Sequence, residues 1–393
     1  MSDRLPLAKR LASLPGYAFD EIDRLRDKRS AEGADVIDFG VGDPVDPTPD
    51  VVVSALRDGA LRHRTTGYPS YVGSEAFRTA AAQWMERRHG VTLDPATQIT
   101  TTLGSKEAVF HLPLAFVDPG RVVLVPSPGY PPYVTGTWFA GGRVVPYAVQ
   151  EQGAMLPDLD ALSAQDAEDL AVVWITQPHV PTGRAATREA LDRLRRQCVE
   201  RGVLLCSDEA YSELWYGERC AGALETGTEG VLVFQSLSKQ ANMTGYRLGF
   251  VAGDAEASAR FRRLKTQIDS GAPDFVQDGG RAALGAEDVA TSARERYRAR
   301  IEVLLPALRA VGCEVEAPEA GLYLWARVPG GDGVAFAREL LAGPPALAVV
   351  PGEWLAQDVP GSDHPGRGRV RLALVPELTR CRQAAERLQA WSA

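Results

Sequence analysis

The sequence predicts an α/β protein in which a mostly parallel central sheet, covered by helices, is joined to a smaller α+β unit. Three observations carry that expectation. Five short runs rich in β-branched residues, VVLVP (122–126), AVVWIT (171–176), VLLCSD (203–208), VLVFQS (231–236) and LGFVAG (248–253), have the unbroken hydrophobicity of strands buried on both faces. Between two of them, TREALDRLRRQCVERG (187–202) sets Leu191, Leu194 and Cys198 at helical spacing and ends on Gly202, where a C-terminal cap belongs. After Leu284 this alternation gives way to long amphipathic stretches and fewer strands. Strand–helix–strand repetition buries its apolar faces only when helices cover the sheet.

Taken in chain order, residues 1–44 read as an N-terminal arm that belongs with the smaller unit, with an amphipathic stretch from Phe19 to Lys28 and a break at Ala31–Ala34. Residues 45–285 hold all five runs and form the large domain; within it, SKEAVFHLPLAFV (105–117) reads as helical. Residues 286–393 form the small domain. There, ARERYRARIEVLLPALRAVG (293–312) is a long helix and EVEAPEAGLYLWARV (314–328) two strands around a turn. VAFARELLAG (334–343) is a helix, RGRVRLALV (367–375) alternates like a strand, and ELTRCRQAAERLQAWS closes as a helix.

Composition narrows the function. The 393 residues are 45% hydrophobic and 24% charged, as expected of a folded globular chain. Lys plus Arg number 43 against 51 Asp plus Glu, a net charge of −8 that argues against nucleic acid or an anionic membrane as main partner. No run reaches the roughly 18 apolar residues of a membrane span. The opening MSDRLPLAKRLASLPGY has no continuous apolar core, so no secretory signal is expected. Five cysteines, an odd number without a C-x-x-C pair, suit scattered thiols in a reducing cytoplasm. Phosphate-loop, dinucleotide, zinc-protease and nucleophile-elbow motifs are missing, and the five histidines are not at ligand spacing, so no metal is expected.

Chemistry-bearing residues collect where the strand runs end, and ligands of open α/β sheets bind just outside those carboxyl ends. Asp208 ends VLLCSD and is followed by Tyr211; Ser236, Ser238 and Lys239 follow VLVFQS, with Arg247 eight residues on; Gly104 and Ser105 introduce a helical stretch. Singly, each has a plain reading: a turn aspartate, loop serines, a surface arginine. Together they are the minimum for pyridoxal phosphate: a lysine able to form a Schiff base, a carboxylate for the pyridinium nitrogen, and a phosphate cup.

In SDEAY (207–211), SLSK-x7-R-x-G (236–249), PTG (181–183), GYPPY (129–133) and AGLYLW (320–325), the chain resembles the class I/II aminotransferases of fold-type I pyridoxal-phosphate enzymes over nearly its whole length. YPSYVGSEAFR (68–78) and GSKEAVFHLPLAFVDPG (104–120) resemble the LL-diaminopimelate and N-succinyl-diaminopimelate aminotransferases in particular. The resemblance implies a homodimer with shared sites, and amino-group exchange between an amino acid and a 2-oxo acid by a ping-pong mechanism through imines. It implies that Lys239 bonds the cofactor and shuttles the proton, that Asp208 pairs with the ring nitrogen, that Tyr211 contacts the ring oxygen and that Tyr130 stacks on the ring. Gly104, Ser105, Lys106, Ser236, Ser238 and Arg247 would surround the phosphate, with Tyr68 reaching it from the other subunit. Arg371 would grip the substrate α-carboxylate with help from the Gly42 backbone, Arg367 and Arg369 being close enough to shift that register. The side-chain pocket would include the partner's 270–275 segment, where Asp274 either meets a cationic group or caps a helix.

One position departs from the pattern. Val180 stands before Pro181-Thr182-Gly183 where the family carries an asparagine that donates to the ring oxygen. Losing a donor worth about 1.5–3 kcal/mol implies a Schiff base that stays protonated roughly one or two pH units higher. His179 either replaces that donor or points away. The departure leaves open an enzyme of specialised metabolism performing β- or γ-elimination, replacement or oxidation.

Overall fold

The computed structural model describes Leu5, residues 7–12, Leu14, residues 20–150 and residues 155–392. Phe19, like much of the stretch before it, lies outside the described residues; the helix expected there runs Asp20–Ala31. Strand β1 (Ile37–Asp38) follows.

The large sheet holds seven strands: β2 (Ile99–Thr102), β3 (Val122–Ser127), β4 (Arg143–Ala148), β5 (Leu170–Thr176), β6 (Leu204–Asp208), β7 (Val231–Ser236) and β8 (Gly249–Gly253). Their order is β2-β8-β7-β6-β5-β3-β4, and only β8 runs antiparallel to its neighbours. The reason for the continuous apolar runs is visible in the packing. Val122 and Leu124 enter one core cluster while Val123 and Val125 enter another across the sheet, and Val173 and Ile175 oppose Val172 and Trp174 in the same way. Each such side chain contributes roughly 1.5–3 kcal/mol on burial, so both faces must be covered. Helix Arg188–Glu200 covers one face with Leu191, Leu194 and Cys198, and Gly202 (φ +65°) follows its end as expected.

Strands β9 (Glu314–Val315), β10 (Tyr323–Arg327), β11 (Leu347–Ala348), β12 (Val350–Pro351) and β13 (Arg369–Ala373) belong to the C-terminal part. They form a four-stranded antiparallel sheet in the order β12-β13-β10-β9, while β11 pairs in parallel with β1. The long helix Glu287–Ala310 and the final helix Leu378–Ser392 pack together against this sheet. A mostly parallel seven-stranded sheet joined to a small antiparallel one, the expected architecture, is therefore what the chain adopts. One expected element is different. The stretch 105–117 is two helices, Ser105–His111 and Pro113–Phe116, because Pro113 has no N–H to donate back along a continuous helix. Among the described residues, no helix is long and apolar enough to cross a membrane.

Candidate active site

Strand order reverses around β3, which has β4 on one side and β5, β6 and β7 on the other. At such a point the connections diverge and leave a crevice outside the carboxyl ends. A cavity of about 400 Å³ opens there, between the large sheet's edge and the small antiparallel sheet. Thr176 from β5, Asp208 from β6, Ser236 and Lys239 after β7, and Arg371 from β13 all line it.

Asp208 is buried, and burial pushes its carboxyl up to about 6 despite hydrogen bonds from Tyr133 Oη (2.9 Å to Oδ2) and the Ala210 N–H (3.2 Å to Oδ1). Tyr133 is itself fixed: its ring stacks on Trp174 at 4.9 Å and its hydroxyl also meets Thr176 Oγ1 at 3.0 Å. A carboxylate held in this way, in a dry wall, favours a cationic N–H as partner. Lys239 comes from the short helix Leu237–Gln240 and donates from Nζ to the Gly42 carbonyl at 2.5 Å. Burial lowers its amine to about 8, with Asp43 opposing and Arg247 and Arg371 assisting the shift, so a usable fraction is neutral near pH 7–8.

Gly104, Ser105, Lys106, Ser236, Ser238 and Arg247 converge at one end. Ser236 Oγ accepts from the Ser238 N–H at 3.3 Å. Arg247 holds a left-handed backbone (φ +53°) and donates to Thr244 O at 2.8 Å and Leu103 O at 3.4 Å. Gly104 has φ +76°, and a Cβ there would lie 2.6 Å from Arg247 Nη2; only glycine lets the guanidinium close over this loop. Ser105 and Lys106 line the cavity, Lys106 from its exposed mouth.

Opposite, Arg371 donates from Nη2 to the Gly40 carbonyl at 2.7 Å and lies 4.7 Å over the Tyr323 ring. Arg369 instead sits over Trp325 at 5.9 Å, away from the cavity that Arg371 lines. Gly42 packs so tightly that a Cβ would fall 2.1 Å from Tyr323 Oη. Tyr211 Oη meets Tyr323 Oη at 2.9 Å, and burial holds the Tyr211 phenol protonated far above the ordinary range. Tyr130 lines the cavity mouth and contacts Tyr133 edge-on at 5.8 Å.

Val180 lines the cavity and offers no donor. His179 does not replace it: its Nε2 donates to the Pro128 carbonyl at 3.1 Å and its Nδ1 accepts from Thr182 Oγ1 at 2.9 Å. Burial lowers this imidazole to about 4, which keeps it neutral in that arrangement. Tyr68 is 90% exposed and does not reach its own chain's cavity. Asp274 is the first residue of helix Asp274–Gly285, and its carboxylate accepts from Gln277 Nε2 at 3.3 Å rather than capping the helix N-terminus.

The cavity residues that the sequence did not mark as site residues include Tyr133, Tyr323 and Asp43. The first two stand inside GYPPY and AGLYLW, so the motifs flagged them without assigning a role. A seam also crosses the cavity mouth. The Gly129 N–H donates to Leu355 O at 2.9 Å, while Ser127 Oγ accepts from Gln357 N and donates to Gln357 O, each at 2.8 Å.

The constellation fits pyridoxal phosphate. The buried Asp208 suits a ring N–H, Lys239 an aldehyde, and the glycine-lined Arg247 cup a dianion.

Comparison with known proteins points the same way. The family described as "Aminotransferase class I and II" matches residues 34–388. The LL-diaminopimelate aminotransferase of Syntrophobacter fumaroxidans is 39% identical over 390 residues, spanning 97% of this chain and 98% of that one. An aminotransferase structure from Neisseria meningitidis superposes with a TM-score of 0.90 at 31% identity, covering 98% of this chain and 100% of its own. A probable N-succinyldiaminopimelate aminotransferase from Thermus thermophilus gives 0.86 at 31% identity, covering 95% and 99%.

Proposed function

We propose a substrate and a set of residue roles from the premise that this chain belongs to the class I and II aminotransferases. It is a pyridoxal 5'-phosphate-dependent aminotransferase, exchanging an amino group between an amino acid and a 2-oxo acid. The proposed donor is LL-diaminopimelate or a similarly long amino acid with a second polar end, a reading supported by full-length similarity to enzymes of that name. Val180 then tunes an aminotransferase rather than marking a different reaction. The observation that carries the role assignments is that a half-buried amine, a buried carboxylate and Arg371 face one cavity from three separate elements.

When bound, the cofactor supplies an aldehyde that condenses with amines and a ring that stores the electrons left when the α-proton departs. Asp208 would keep the cofactor's ring nitrogen protonated. Tyr211 Oη, steadied by Tyr323, would hold the ring oxygen, and Tyr130 would pack against the ring. Ser105, Lys106, Ser236, Ser238 and Arg247 bind the phosphate around Gly104. Arg371 forks onto the α-carboxylate beside Gly42. Lys239 would carry the cofactor through its amine, and its neutral Nζ would hold and move the proton at the substrate Cα.

We take the working unit to be a cytoplasmic homodimer with shared sites, in which Tyr68 serves the partner's phosphate cup. Its exposure fits that role, and five buried free cysteines suit a reducing compartment. Residues 45–285 serve as the cofactor-binding domain, with 286–393 and the arm 1–44 as the smaller one. The test is a half-reaction. LL-diaminopimelate should convert the bound cofactor's absorbance to that of its amine form, and a 2-oxo acid should restore it. Ammonia release, oxygen uptake, or no exchange with any diamino dicarboxylate would overturn the reading.

A further inference from the structure

We infer that Arg300 and Asp46, neither of which lines the cavity, form a positioning pair that sets the distance between Arg371 and the Gly40–Gly42 loop, and so the grip on the substrate carboxylate. The inference rests on the proposed role of Arg371.

Cations on separate elements hold the loop from Phe39 to Pro49. Arg371 Nη2 donates to Gly40 O at 2.7 Å, Lys239 Nζ to Gly42 O at 2.5 Å, and Arg300 Nη2 to Asp46 Oδ1 at 2.6 Å. Arg300 stands on the long helix Glu287–Ala310, and its other arm, Nη1, donates to Leu374 O at 3.0 Å, three residues beyond Arg371. One rigid guanidinium therefore ties the loop to the end of the strand that presents the carboxylate-binding arginine. The far side of the loop is tied to the segment after Lys239: Thr48 Oγ1 donates to Asn242 O at 2.7 Å and Asn242 Nδ2 to Pro47 O at 3.3 Å.

Stability does not account for the pair. Side-chain exposure is 3% for Arg300 and 10% for Asp46, so both charges are taken out of water. Such a pair is repaid only when its remaining polar atoms are satisfied. Here Asp46 Oδ2 and Arg300 Nε lack hydrogen-bond partners among the described residues, and Arg296 Nε stands 3.8 Å from Asp46 Oδ2. An apolar pair would hold these elements together as well, without fixing their register.

The test is calorimetric binding of hexanoate, a carboxylate with no amine to react, to the holoenzyme, alongside pyridoxal phosphate binding to the apoprotein. In the apolar replacement Asp46→Leu with Arg300→Met, and in the isosteric Asp46→Asn, hexanoate should bind about tenfold more weakly, about 1.4 kcal/mol. Cofactor affinity should stay at the parental value, and the apolar variant should melt no lower than the parent. Parental hexanoate affinity in the folded variants, or an equal loss of hexanoate and cofactor affinity, overturns the positioning role. Arg371→Gln separates the two layers. If it weakens hexanoate and the pair variants do not, the positioning role alone falls; if it does not, the carboxylate assignment falls and takes the pair with it.

Discussion

Replacing Lys239 with methionine should make the cofactor-free protein more stable at pH 7. The amine is lowered from 10.5 to about 8 by burial, and a shift of that size corresponds to roughly 3 kcal/mol by which the folded state disfavours the charged lysine. At pH 7 the lysine is charged in both folded and unfolded chains, so the full penalty applies. Methionine fills similar space without charge, but it leaves the Gly42 carbonyl without the donor now 2.5 Å away, which costs about 1 kcal/mol. The net expectation is a gain of about 2 kcal/mol in urea unfolding of the apoprotein. The pH dependence carries the sign. Between about 8 and 10.5 the unfolded chain still holds the proton that the folded chain has released, so parental stability rises with pH through that window. The variant has no such slope, and its advantage should vanish by the top of the window. A parental apoprotein that is already the more stable at pH 7, or a gap that does not change with pH, would refute the reasoning.

Further expectations follow from other contacts. Asp208→Asn removes a charged partner worth about 1.5–3 kcal/mol, so the half-reaction should slow roughly 10- to 100-fold, read by stopped-flow absorbance with cofactor still bound. Tyr133→Phe deletes the hydroxyl 2.9 Å from Asp208 that favours its ionised form. The carboxyl should then titrate above its present value of about 6, and cofactor affinity measured against pH should shift to the alkaline side; an unmoved profile counts against the contact. Val180→Asn should lower the pH at which the visible absorbance of the loaded protein titrates by roughly one unit, since it restores a donor facing the cavity. A spectrum that titrates as in the parent would show that this wall does not govern the ring oxygen.

How much of this was readable in the chain depends on where each residue's reason lies. Asp208 and Lys239 were legible because each follows an apolar run, and the end of a buried parallel strand is where such residues face a ligand. Strand β4 was not, since an edge strand containing Arg143, Pro146 and Tyr147 lacks an apolar run. Nor was β2, which is almost all threonine yet fully buried. The break at Pro113 is legible in the sequence, since a proline has no N–H with which to continue the helix. Tyr323 and Arg300 were hidden for another reason: their meaning comes from pairing with Tyr211 and Asp46, 112 and 254 residues away, and no local pattern records that proximity. The contest between Arg369 and Arg371 needed the strand register, which alternation alone leaves two residues loose.

The seam between Ser127–Gly129 and Leu355–Gln357 separates two jobs that a single pocket usually merges. Leu355 roofs the chamber from a segment pinned at three points, yet that segment contributes no group that moves a proton or binds the phosphate. The doorway and the workbench are thus different lengths of chain. Substitution at Leu355 changes the chamber's roof while leaving the cavity's charged residues untouched.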